Sequence, residues 1–486
     1  MSTVSATAVG IAVLAAAGLL PVLATVGLRW FAVPLVPLAG AVVSGVAATA
    51  YLSVGGSFMA WFLVLAAAGA AAVAAVWASR PATRPWARRS APAGSGGRRW
   101  SRPRMVGAVG FVAVVASCAF CLRGLHTPTV GFDARALWVM RPGWFLEGHA
   151  QLLIDMKVRG LVLTQSAYPP LVSSSAAVAW RVTGIHTARL GVTTVAVLDA
   201  CALAAAALAL VECGRGVAAR LAGGGVVGTG TEPGSPPWAP MVAAVVGAVA
   251  LVFVAAGITE PFLTNGYADP IWSLAAVGAV AFGLQTQCDR STRAATVVLI
   301  LVAGLAKDEG YATAVALVAL VAARSIGTAG LRDGRRWVAP VALAAGELAV
   351  LAWWPILMHA IGARGATTSF TLSDDIASRT SAVARGMSPY LHVLVVALPL
   401  SVVGGAVLSA LRRAGGVGND LWAWLALALG LTALGGALVT GSGAIEPWIL
   451  STVHRITEYP ALEGWWIVAF WAVVAASGVR RPGPAR

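Results

Sequence analysis

Charge is scarce in this chain. Of its 486 residues 11% are charged and 58% are hydrophobic, whereas a soluble globular protein carries about 25% charged residues. With a mean hydropathy of +0.81, that shortage excludes an ordinary soluble domain and points to an all-α polytopic membrane protein. Lysine is scarcer still, because Lys157 and Lys307 are the only two among 34 basic residues. The five cysteines, Cys118, Cys121, Cys201, Cys213 and Cys288, fall in predicted spans or at their cytoplasmic ends, so no disulfide framework is implied. No HExxH or DxD pattern and no GxSxG turn is present, which removes familiar routes to a metal site or a serine hydrolase. No cofactor is therefore expected, and a divalent cation has no motif behind it. A basic region before the first apolar run is also missing, so that run reads as a retained span.

The charge that is present is unevenly placed. A net charge of +15 would suggest nucleic acid in a soluble protein. Here, however, residues 80–104 hold eight arginines and no acid, and such a loop stays in the cytoplasm under the positive-inside rule. Two tryptophans in a Pro/Ser/Gly loop form no stacking platform, so no nucleic-acid partner is expected.

A crossing helix needs roughly 20 apolar residues. Counting forward from the N-terminus finds spans at residues 4–28, 31–52, 57–78 and 105–125. Counting back from the C-terminus finds 462–479, 421–440, 389–411, 338–358, 310–323, 294–306, 268–287, 239–257 and 190–211. The two counts agree if residues 169–184, about sixteen long with Arg181 among them, form a helix lying at the external interface. That predicts about thirteen spans, within a range of 11–14, with the N-terminus outside and the C-terminus inside. Residues 1–79 form an N-terminal group of spans, 80–104 the basic cytoplasmic loop, 105–325 a central module with the large external loop 126–189, and 326–486 a C-terminal group with external loops at 359–388 and 441–461.

The polar residues converge on the outer side. Loop 126–189 mixes Asp133, Arg135, Glu147, Asp155, Lys157 and Arg159 with Trp138, Trp144 and Tyr168. Lys307, Asp308 and Glu309 stand together at a predicted membrane boundary, where such a cluster is expensive unless it is paired or liganded. Glu260 and Asp269 lie in an external turn before a span, and Asp269 is close enough in topology to pair with Lys307. Arg364, Arg379 and Arg385 accompany Asp374 and Asp375 in one later loop, and His454 with Arg455 precede the last span. Arginine kept on the side where basic residues are disfavoured calls for an anion, such as a phosphate. Asp199 and Glu347 fall inside predicted spans, as helix-packing partners or as part of a proton path.

In order along residues 105–320, these motifs resemble the GT-C superfamily of polytopic glycosyltransferases. The segment FDARALW resembles the opening of a juxtamembrane helix with a catalytic Asp, AYPPLV resembles the Pro-Pro-Leu helix, NGYAD a turn with a second acidic residue, and LAGLAKDEG a lysine turn. Ala167 and Tyr168 stand where a relative acting on lipid A has an acid and a lysine. The resemblance implies juxtamembrane helices in the first external loop, a polyprenyl-phosphate sugar as donor, and a glycolipid, cell-wall glycan or protein as acceptor. By position Asp133 is then the base, with Arg135, Trp138, Tyr168, Glu260, Asp269, Lys307, Glu309, His454 and Arg455 binding substrate. It further implies a plasma-membrane enzyme with its site on the extracytoplasmic face. The Ala/Val/Gly/Arg-rich composition fits a GC-rich actinobacterial genome, in which decaprenyl-phosphate mannose or arabinofuranose is the usual donor of similar enzymes. Two alternatives stay open, a lipid or solute transporter using Asp199 and Glu347, and a non-catalytic scaffold.

The topology is directly testable. A phosphatase reporter that works only outside the cytoplasm is expected to be silent within residues 80–104 and active within 126–189, and the reverse pattern would invert the assignment.

Overall fold

The computed structural model describes residues 1–78, 102–126, 130–131, 134–146, 148, 167–223, 238–260, 262–285, 289–329, 334, 337–363, 376–410, 420–440 and 452–476. Among these the regular structure is helical, with no strand. The helices are α1 (Thr3–Thr25), α2 (Ala32–Val54), α3 (Phe58–Ala78), α4 (Arg102–Cys121), α5 (Leu171–Thr183), α6 (Ala188–Gly223), α7 (Ala239–Thr259) and α8 (Asp269–Val280). They continue with α9 (Arg290–Ala306), α10 (Asp308–Ala329), α11 (Val338–Ala360), α12 (Ile376–Met387), α13 (Val393–Ala410), α14 (Leu421–Thr440) and α15 (Glu458–Ala476).

Each stretch predicted as a span is mainly helical over its described residues. Eight helices are long and apolar enough to cross a membrane by themselves, or nine if α12 with α13, bent by 79°, make one broken span. Met105–Cys121, Asp269–Leu284 and Leu421–Gly436 are apolar but shorter. The protein is thus a multi-pass membrane protein with at least eight candidate spans.

α6 is the spine. Its 36 residues reach about 54 Å at 1.5 Å per residue, and α2, α4, α5, α7, α8 and α15 all pack on it. Alanine is the commonest residue on its core side, so neighbouring backbones come close, the mode of association that works where lipid is as apolar as leucine. The α1–α2 hairpin takes this furthest. A Cβ on Gly40 would overlap the Leu14 carbonyl, and one on Gly18 the Val36 carbonyl, so only glycine permits the contact.

Residues 169–184 hold a 13-residue helix that falls short of a crossing. Arg181 and Val182 are exposed, while Leu171 to Trp180 are buried, packed on α1, α2 and α6. Their small side chains allow it, with Ser44 of α2 3.0 Å from Ser174 and 3.1 Å from Ser175. The final helical segment begins earlier than predicted, running over Thr452–Ala476 with a turn at Thr457, so Arg455 is part of a helix and not of a loop. Cys118 and Cys121, a Cys-x-x-Cys pair one turn apart in α4, are free thiols.

One end of the bundle is tied by charge. Arg29, between α1 and α2, donates to Glu212 of α6 at 2.9 Å and to Asp289 at 2.7 Å. Asp289 caps α9 by accepting from the Thr292 N–H at 2.8 Å. Partial burial works against its charge, but that N–H and the Arg29 guanidinium hold the carboxyl below the usual carboxylate range.

Substituting Gly40→Val is expected to force α1 and α2 apart and to cost about 1–3 kcal/mol, seen as a lower melting temperature in detergent. Gly216→Ala, with open space around it, should not lower the transition; equal losses in both variants would refute the packing argument.

Candidate functional site

The opposite end of the bundle gathers the polar groups singled out in the sequence. Asp269 opens α8 with Pro270 in its first turn, where a proline lacks nothing because its N–H would have no helical partner. The turn before it is made by Gly266, whose φ of +85° suits glycine. Lys307 is a single extended residue between α9 and α10, at φ −158° and ψ +158°. Arg455 comes from the helical turn ahead of α15.

These three side chains meet. Lys307 Nζ donates to Asp269 Oδ1 at 2.6 Å, and Arg455 donates to Oδ2 through Nε at 3.1 Å and Nη2 at 2.9 Å. The guanidinium lies over the Tyr267 ring, 4.7 Å from its centre. Asp269 is 0%, Lys307 1% and Arg455 9% exposed, so the group is sealed and its mutual hydrogen bonds are what make it tolerable. Burial pushes the Lys307 ammonium toward losing its proton, but Asp269 and Glu309 outweigh that and leave its pKa raised. A lysine raised in this way contributes stability that is present below its ordinary value of 10.5 and is lost only as pH climbs through the higher folded value.

Around this core stand the remaining groups. Glu309, in the first turn of α10, reaches Lys307 at 3.2 Å. Tyr168 is half-buried, with the Trp138 ring stacked on it at 5.2 Å. Burial, then the charges of Glu309, Asp308 and Asp269, raise the Tyr168 hydroxyl well above its usual range. His454 is half-buried, its ring 6.4 Å from that of Tyr390. Of the predicted residues, then, Asp269, Lys307, Glu309 and Arg455 form one cluster with Tyr168 in their field. Arg135 is exposed. Glu260 is exposed at the end of α7, without a hydrogen bond to the cluster among the described residues. Among the described residues of the first loop, two short helical turns, Ala134–Val139 and Arg141–Phe145, follow the loop entry.

Asp133 lies outside the described residues, as do Glu147, Asp155, Lys157, Arg159, Arg364, Asp374 and Asp375. Gly131 and Ala134, which flank the undescribed positions 132 and 133, dock on the turn before α8. The Gly131 N–H donates to the Asn265 carbonyl at 3.2 Å. A Cβ on Gly131 would strike the Tyr267 ring, and one on Gly266 would come within 3.3 Å of Ala134.

Sequence reasoning missed two participants. Arg141 is wholly buried and donates to the Tyr168 carbonyl at 2.8 Å, with its guanidinium 5.5 Å from the centre of the Trp144 ring. Burial lowers its pKa to about 10, while Asp308 and Tyr168 act to keep it charged. The available signal was an arginine in a loop expected to be external, where basic residues are disfavoured. Glu458 is buried, accepts from Ser273 Oγ at 3.5 Å and feels the charges of Asp269, Lys307 and Arg455. Its three-residue spacing from Arg455 on a helical segment was legible in principle.

Chemically, the cluster offers two fixed cations in a low-dielectric setting, flanked by tyrosines and carboxylates, an arrangement suited to an anion beside a polar ligand. Among the described residues no group of three or more His, Cys, Asp or Glu is arranged to hold a metal ion. No family model matches the chain, and no curated protein or solved structure matches it.

Asp269→Asn would leave two buried cations without their counter-charge, an expected loss of about 3–5 kcal/mol. Adding Lys307→Met should recover part of it, because the two sites are in contact. Strict additivity of the two losses in thermal melts would show that the pair is not coupled.

Proposed function

We propose that this protein is an inverting glycosyltransferase that moves a single sugar from a polyprenyl-phosphate donor to an acceptor on the extracytoplasmic face of the plasma membrane. The observation that carries the reading is the docking of Gly131 and Ala134, which flank positions 132 and 133, against the turn that presents Asp269, bonded to Lys307 and Arg455. It supports bringing a base from the first loop close to the cations that a lipid phosphate needs.

In this reaction the Asp133 carboxylate takes the proton of the acceptor hydroxyl. The freed oxygen attacks the anomeric carbon while the carbon–oxygen bond to the phosphate breaks, and the departing phosphate keeps the electron pair. Lys307 and Arg455 stabilise that leaving group. Such a donor already has a good leaving group, so no strong general acid is required. A single displacement inverts the anomeric centre, unlike the two-step carboxylate route. Trp138, Tyr168, His454, Arg135 and Glu260 are assigned to the sugar and the acceptor. Mannose or arabinofuranose on decaprenyl phosphate are the favoured donors, with a glycolipid, cell-wall glycan or protein as acceptor. An apolar cavity of about 900 Å³ between α13 and α15, lined by Val395, Pro399, Leu400, Val403, Trp471 and Val474, offers room for an isoprenoid chain.

A transporter reading draws on one specific observation. Asp199 and Glu463 are fully buried within α6 and α15, and no carboxyl oxygen of either accepts a hydrogen bond among the described residues. Intramembrane acids of this kind mark ion paths.

In vesicles carrying purified protein and a radiolabelled polyprenyl-phosphate sugar, Asp133→Asn is expected to abolish transfer while leaving donor binding and expression intact. Full transfer by that variant would remove Asp133 from the mechanism. Sugar-independent movement of lipid or solute across the same vesicles would favour transport.

A further inference from the structure

The cations assigned to the donor's phosphate are already engaged. Asp269 takes one bond from Lys307 and two from Arg455, and Glu309 Oε1 forms an ion pair with Lys307 at 3.2 Å. An anion arriving at Lys307 must therefore displace a carboxylate, and the two candidates differ sharply. Asp269 is enclosed, with a side-chain exposure of 0%, and three N–H groups hold it. Glu309 has a side-chain exposure of 20% and makes the longer contact. Its Oε2 is buried and accepts no hydrogen bond among the described residues. Releasing Asp269 would strand a buried charge, whereas Glu309 gives up one contact and gains water around an oxygen that now has no partner.

We propose that Glu309 holds, in the ligand-free protein, the position on Lys307 that the phosphate of the substrate takes, and that binding displaces it. This rests on the reading of Lys307 as a phosphate-holding residue. A carboxylate and a phosphate both present acceptor oxygens that suit an ammonium, so one can stand in for the other. The position of Glu309 in the first turn of α10 helps keep it there, because a helix N-terminus favours negative charge. Displacement makes Glu309 a specificity-determining residue. An uncharged prenol has nothing with which to compete for Lys307, whereas a prenyl phosphate does, and discrimination of that sort comes from the element that must be pushed aside. Asp308, next to it and exposed, has no hydrogen bond to Lys307 among the described residues and serves as the control for charge without contact.

The test measures equilibrium binding of farnesyl phosphate and of farnesol to the full chain in lipid nanodiscs. Wild type is expected to bind farnesyl phosphate in preference to farnesol. Glu309→Gln removes the competing charge at constant size and is expected to tighten farnesyl phosphate binding about tenfold, the equivalent of about 1.4 kcal/mol. Glu309→Ala should change in the same direction, and Asp308→Asn by clearly less. Unchanged or weaker farnesyl phosphate binding in both Glu309 variants, with melting temperatures like wild type, would overturn the displacement. Equal gains from Asp308→Asn and Glu309→Gln would reduce the effect to general electrostatics and overturn it too. Loss of the phosphate preference in wild type itself would instead bring down the underlying reading of Lys307, and the displacement with it.

Discussion

The carboxylate of Asp269 draws a lysine from the break between two helices and an arginine from the start of a third, and it has no access to water. Ions in such a place are costly to desolvate, and only close, multiply bonded geometry offsets that cost. The bonds are directional, so they also fix where the ends of α8, α9, α10 and α15 stand relative to one another. Any ligand that reaches these cations meets them already oriented by Asp269, which is the sense in which the site is preorganised.

That convergence depends on how closely the helices pack below it. Glycine and alanine let backbones approach along α1, α2 and α6, which brings the ends of non-consecutive helices within reach of one side chain. Gly310 does the same beside the site, where a Cβ would overlap the Ala303 carbonyl and crowd Trp272. At the far end the Arg29 link to Glu212 and Asp289 binds the α1–α2 connection, α6 and α9. Tryptophan contributes as well, since Trp354 of α11 donates to the Ala167 carbonyl at 2.6 Å. With the Arg141 bond to the Tyr168 carbonyl, this pins the two residues ahead of the Pro-Pro pair.

Much of the scaffold was readable from residue order. Apolar runs announce helices because the backbone must satisfy itself in lipid, and each predicted run is mainly helical over its described residues. The pairing of Asp269 with Lys307 was also legible, because both stood at span ends assigned to one side. Arg455 was foreseen only as a nearby cation, since its helical setting follows from a helix that begins earlier than hydropathy shows. Residues 169–184 read as a non-crossing helix because they are few and include Arg181; hydropathy did not show that Leu171 to Trp180 pack inside the bundle, with Ser174 and Ser175 against Ser44 of α2.

By itself the amino-acid order determined class and approximate helix limits, since these follow from local hydropathy, which needs no knowledge of neighbours. Tertiary structure alone decided that one carboxylate would hold both Lys307 and Arg455, that Arg141 would reach under Tyr168, and that Asp199 would lack a hydrogen-bond partner among the described residues. Those outcomes depend on which helix faces meet and at what distance. In a chain built so largely of Ala, Gly and Val, many faces are alike in hydropathy, and only the fit of small against large side chains tells them apart.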